Sequence, residues 1–185
     1  MDHPPAKVIL PNYLIISGSG QKVGKTFMAL SVIRAFSEHI PMIALKISPH
    51  VHDSFGVSIL TVSEDGFRIF QDTEPNAKNS GKFLQAGVLR SYFMETDDAH
   101  LPDAFDHFRK ICNPENLALI CESGALASIV QPGILIYISD RSEETEIEKV
   151  IIRHHADIIL SAKKFDSAET TGRIDFSEGR WLITR

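Results

Sequence analysis

The sequence predicts a three-layer α/β fold: a mainly parallel sheet with helices on both faces, one hairpin inserted mid-chain and another near the end. Three observations carry this expectation. Short apolar runs alternate with segments of helical periodicity, which is how strands buried on both faces and the helices covering them read in sequence. A glycine-rich turn joins the first apolar run directly to the first helical segment. Two further turns, Asp65-Gly66 and Ser177-Glu178-Gly179, each lie between strand-like runs, the mark of a hairpin.

The totals agree with one such domain over residues 1–185. A chain of 185 residues is long enough to bury a substantial core. Apolar residues make up 43% and charged residues 23%, a globular balance rather than a disordered or fibrous one. A net charge of −5 argues against binding to nucleic acid, whose phosphate backbone selects basic proteins. The two cysteines, Cys112 and Cys121, have no metal-ligand spacing and fit reduced thiols. With no basic, apolar leader and no run of membrane-spanning length, the expectation is a soluble cytoplasmic protein.

Taken in order, residues 1–11 contain three prolines and read as an extended lead-in. Residues 13–17 form a buried strand. Residues 26–39 carry Met28, Leu30, Ile33 and Phe36 at helical spacing. Residues 42–47 are a mostly apolar inner strand that ends, unexpectedly, on Lys46 and Ile47. A right-handed strand–helix–strand crossover brings that end to the sheet edge where the glycine turn lies, so Lys46 should face the same site. Residues 57–62 and 67–71 make the inserted hairpin. Residues 81–86 form a short helix, 88–94 a strand and 102–112 a helix. Residues 117–121 are a buried strand closed by Glu122. Strands at 134–138 and 157–161 flank an acidic helix at 142–155, and residues 173–184 form the last hairpin.

The glycine turn carries the chemistry. Gly18-Ser19-Gly20-Gln21-Lys22-Val23-Gly24-Lys25-Thr26, running on into Phe27, sits between strand and helix. Without side chains at Gly18, Gly20 and Gly24, backbone amides can turn inward around phosphate oxygens, and the following helix adds its own N-terminal amides and dipole. Lys25 can then place its ammonium at the terminal phosphates, and the Thr26 hydroxyl can hold Mg²⁺. This is the outline of a phosphate-binding P-loop, and with it the fold expectation becomes that of a P-loop NTPase. The first glycine of the common spacing is replaced by Ser19, with Gly18 and Gly20 on either side; the alternative is a glycine turn that merely precedes Lys-Thr. Such a loop needs a carboxylate from a neighbouring strand to hold Mg²⁺ or orient water, and Glu122 is the candidate. A strand-end acid facing solvent is the alternative for that residue.

These residues resemble two families. The loop is similar to that of dethiobiotin synthetase at Gly18, Val23, Gly24, Lys25 and Thr26, and Glu122-Ser123-Gly124-Ala125 resembles that family's E-G-A-G segment. Lys46 stands where that family has a strand-end lysine, although the proline that follows it directly there lies at Pro49 here. The middle of the chain is more similar to the molybdopterin-guanine dinucleotide biosynthesis protein B family. Lys46 followed by His50, His52 and Asp53, then residues 75–80, and Glu122 at the end of its strand occur in that family's order. Asn79 and Ala77 depart from its pattern, and the hairpin at 57–71 looks inserted. The resemblance implies a diverged GTP-binding or ATP-binding accessory protein of molybdenum-cofactor biosynthesis, with a protein partner or a small anionic ligand and pairing into a homodimer. The first family implies instead an ATP-dependent ligase acting on a small amine or carboxylate. A non-catalytic nucleotide-binding module is a third alternative.

Two further segments have competing readings. His50, His52 and Asp53 could contribute a metal shell, with Asp53 as a Mg²⁺ ligand, or form a solvated polar loop. Residues 162–166 resemble the guanine-reading N-K-x-D segment at Lys164 and Asp166, with Lys163 in the asparagine position, which makes Asp166 a candidate base contact. A charged loop before the last hairpin is the alternative.

Overall fold

The computed structural model describes residues 7–49, 58–75, 80–112, 117–140, 147–162 and 164–184. Eight strands form one sheet: β1 (Val8–Gly18), β2 (Met42–Ser48), β3 (Ser58–Glu64), β4 (Phe67–Asp72), β5 (Arg90–Thr96), β6 (Ala118–Glu122), β7 (Val130–Ser139) and β8 (Ile158–Ser161). Their spatial order is β3-β4-β5-β2-β6-β1-β7-β8. The pairings from β5 through β8 are all parallel, while β3–β4 and β4–β5 are antiparallel. The inserted hairpin is therefore not a separate excursion. It extends the parallel sheet at one edge, with Arg68 opposite Glu95 in register and ion-paired to it.

The helices are α1 (Lys25–Phe36), α2 (Gly81–Ala86), α3 (Leu101–Cys112), α4 (Ile147–His154) and α5 (Ser167–Thr171). A separate two-stranded sheet, β9 (Ile174–Ser177) and β10 (Arg180–Ile183), closes the described chain as an antiparallel hairpin.

The period of two along a strand divides the core into two layers. On β1, Leu14 and Ile16 face one layer with Met28, Val32 and Ile33 of α1, whereas Tyr13 and Ile15 face the other with Phe105 and Phe108 of α3. Helices thus cover both faces, as the alternating sequence pattern predicts. The α1 stripe differs in detail from the expected one. Met28, Ala29, Val32 and Ile33 are buried, while Leu30 and Phe36 are only partly so. Phe36 finds its cover in the C-terminal hairpin, meeting the buried Trp181 edge to face at 5.2 Å.

Several boundaries moved from their sequence expectations, β5 among them at 90–96 rather than 88–94, and one helix is new. β1 begins at Val8, inside the proline-containing lead-in, and tolerates Pro11 at a register shift between Leu10 and Leu14. β7 runs from Val130, four residues earlier than its strongly apolar half, because Val8 to Leu10 extend the pairing at that end. The short helix α5 was not expected from the sequence at all. Asp166 starts it by accepting hydrogen bonds at Oδ1 from the amides of Ala168 (2.8 Å) and Glu169 (3.2 Å), a standard N-cap.

Two crossovers leave the centre of the sheet in opposite senses. The chain passes from β1 to β2 on the far side of β6, and from β6 to β7 on the far side of β1. In open α/β sheets the crevice beyond the carboxyl ends of strands at such a switch point is where ligands bind.

Candidate functional site

β6 pairs in parallel with both β1 and β2, so the carboxyl ends of all three share one sheet edge. Lys46 stands opposite Glu122 in the β2–β6 register, and Ile16 stands opposite Glu122 in the β1–β6 register. Lys46 is two residues past Ala44, and Glu122 two past Ile120, both members of the layer that α1 covers. The strand period therefore directs both charged side chains toward the α1 side, where Thr26 begins the helix.

The result is a compact polar cluster. The Thr26 hydroxyl donates to Glu122 Oε2 at 2.8 Å, and the Lys46 ammonium meets Glu122 Oε1 at 3.1 Å and Thr26 Oγ1 at 3.5 Å. The Glu122 side chain is 8% exposed and that of Lys46 22% exposed, so the ion pair lies largely out of water but opens on one side.

The glycine loop is fastened to both neighbouring strands. The Ser19 amide donates to the Ile138 carbonyl at 3.0 Å, and Ser19 Oγ accepts from the Asp140 amide at 2.8 Å. The Ser17 hydroxyl donates to the Gly124 carbonyl at 3.2 Å, and the Ser123 amide donates to Ile16 at 3.1 Å. Gly24, with φ of 110°, takes the left-handed conformation at the head of α1, where a β-carbon would also press on the Phe165 ring at 2.9 Å. The first helical bond runs from the Met28 amide to Gly24, so the Thr26 and Phe27 amides precede the intrahelical ladder. The Lys25 ammonium folds back to donate to the Gly20 carbonyl.

Loop, strand ends and helix head line one cavity of about 780 Å³, within the size range of small-molecule sites. Every sequence-derived site residue that is described borders it except Ser19, Val23 and Asp166. Ser19 and Val23 are buried, at 1% and 5% exposure, and their side chains anchor the loop rather than face the cavity. Asp166 is occupied in capping α5. Asp53, with His50 and His52, lies outside the described residues, as do Ala77, Asn79 and Lys163.

Sequence reasoning missed two features, one lining this cavity and one beside it. Asp97 and Asp98, just beyond β5, also line it. The available signal was the one that selected Glu122, an acid closing an apolar strand. Asp97 accepts from the His100 amide at 2.9 Å and contacts His100 Nδ1 at 2.7 Å, and these hydrogen bonds hold its carboxyl below the usual range. The second is Phe165, whose ring lies 5.9 Å from that of the exposed Phe27 beside the loop. Next to Glu122, Cys121 is fully buried. Burial first, and the Glu122 charge second, push its thiol pKa well up, so it is no nucleophile here.

The donor set suits a hard divalent cation: a carboxylate and a hydroxyl converge at the head of the helix, both oxygen ligands. Among the described residues no cluster of three or more His, Cys, Asp or Glu could hold a metal. A divalent ion held by these two side chains would need further oxygen ligands from outside the pair. Among the described residues no helix is long and apolar enough to cross a membrane. The chain matches no protein-family model, no curated protein and no solved structure.

Proposed function

We propose that this protein is a P-loop nucleotide-binding protein that binds GTP or ATP with Mg²⁺ and hydrolyses it slowly. It would act as an accessory or switch protein, in molybdenum-cofactor-type biosynthesis by resemblance. The observation that carries the reading is the 2.8 Å hydrogen bond between Thr26 and Glu122 at the mouth of the glycine loop. A hydroxyl at the helix head and a strand-end carboxylate are the two protein groups such a site needs for its metal. In this reading the loop amides and Lys25 hold the terminal phosphates and offset their developing charge, with Lys25 released from Gly20 as it turns to phosphate. Bound Mg²⁺ would supply further charge neutralisation between the terminal phosphates. Lys46 would meet a phosphate or a second anion. The hydrolytic rate is expected to be low, because positioning of water is left to a site open on one side.

A second reading is favoured by one observation. Lys46 borders the same cavity as the loop, as a ligase needs if its lysine is to hold a carboxylated substrate beside the nucleotide. Substrate-dependent turnover separates the two: a ligase requires a small amine or carboxylate, an accessory protein responds to a protein partner. The primary test is parallel calorimetric titration with ATP and GTP, with and without Mg²⁺. Metal-enhanced binding of at least one nucleotide is expected, and binding of neither would overturn the proposal.

A further inference from the structure

We propose that the Lys46 ammonium is a built-in counter-cation that occupies the metal position until a polyphosphate arrives, so that the divalent ion enters only together with nucleotide. The inference rests on the polyphosphate reading above and adds to it an order of binding.

The geometry is specific. The ammonium is 3.1 Å from Glu122 Oε1 and 3.5 Å from Thr26 Oγ1, and those two side chains are the ones that would ligate the metal. The sheet register delivers it there, since Lys46 and Glu122 are direct neighbours on one face of adjacent parallel strands. A lysine on an inner strand is tolerated only when its charge is matched, and Glu122 matches it.

Charge then sets the order. Glu122 carries one negative charge, already offset by one ammonium. A divalent ion placed on the same carboxylate and hydroxyl would lie within a few ångströms of that ammonium, in a pocket where the carboxylate is 8% exposed and screening is weak. A polyphosphate reverses the balance by bringing several negative oxygens of its own. The flexible lysine stem, 22% exposed toward the opening, lets the ammonium swing to phosphate and release both oxygen donors.

The test uses nucleotide-free protein and Mn²⁺, a hard-cation substitute for Mg²⁺ read by loss of its free-ion paramagnetic resonance signal. Wild type is expected to show only weak, non-saturating uptake. Lys46→Met should bind Mn²⁺ at least tenfold more tightly and gain thermal stability from it. Lys46→Arg, which keeps the cation, should behave as wild type, and Lys46→Met combined with Glu122→Gln should lose the gain. Equal Mn²⁺ affinity in wild type and Lys46→Met would overturn the inference. Should Lys46→Met fail to fold, Lys46→Gln replaces it, and wild type alone remains decisive: tight nucleotide-free uptake that Glu122→Gln abolishes would refute it. Failure of nucleotide to bind sinks the polyphosphate reading instead, and the calorimetric titration detects that independently of the Mn²⁺ contrast.

Discussion

Replacing Glu122 by glutamine preserves shape and removes one charge, which isolates the electrostatic part of the site. The carboxylate accepts from a hydroxyl at 2.8 Å and an ammonium at 3.1 Å. Glutamine can still accept from Lys46 with its carbonyl and meet Thr26 with its amide, so the geometry should persist. Hydrogen bonds to charged groups are worth about 1.5–3 kcal/mol against about 0.5–1.5 kcal/mol for neutral ones. The expected loss is therefore about 1–2 kcal/mol in folding stability, between the values for exposed and for fully buried ion pairs. For a chain of this size that lowers Tm by about 2–8 °C. The same loss of charge should leave nucleotide binding in place but raise the half-saturating Mg²⁺ concentration by about 5- to 30-fold. Urea unfolding measures the first effect and calorimetry across a Mg²⁺ series the second. Unchanged stability would mean the Lys46–Glu122 pair is not formed in solution, and an unchanged Mg²⁺ requirement would remove Glu122 from the metal site.

Other outcomes follow from the same geometry. Lys25→Ala should weaken nucleotide binding by about ten-fold or more, at least 1.4 kcal/mol, and unaltered affinity in a calorimetric titration would displace the phosphates from this loop. Gly18→Ala sets a β-carbon 2.6 Å from the Ile138 carbonyl oxygen and 2.9 Å from a Val23 methyl. Its expected cost is about 1–3 kcal/mol of stability by chemical denaturation. Gly124→Ala meets nothing within 4 Å and should be close to neutral. Cys121, its thiol pKa pushed up by burial, should resist alkylation in native protein at pH 8 and react once urea unfolds it, measured in a Cys112→Ser background. Because the folded thiol holds its proton above the pH at which the unfolded one loses it, Cys121 should also lower stability as pH rises past about 8.5.

Much of the architecture was legible because burial leaves a periodic trace. β2, β6 and the core of β1 stand out as apolar runs, and Asp65-Gly66 and Glu178-Gly179 announce their hairpins. Where the reading slipped, the burying partner came from far along the chain. Phe36 is covered by Trp181, and Val8 is drawn into β1 by pairing with Val130. Asp166 shows the same limit in another form. Its carboxylate caps a five-residue helix too short to show a periodicity.

The sequence by itself determined which groups are available: a glycine turn ending in Lys25 and Thr26, and strand ends that close on Lys46 and Glu122. Their chemistry and their place on an element are local properties, encoded in residue type and spacing. Only the tertiary structure decided that they meet. The parallel order β2-β6-β1 sets Lys46 directly opposite Glu122 and turns both toward the head of α1. That neighbour relation joins residues 26, 46 and 122 through pairing between distant strands, and no local preference of any one of them specifies it. The same pairing set the Lys46 ammonium 3.1 Å from Glu122 Oε1 and 3.5 Å from Thr26 Oγ1, contacts visible only in the folded chain.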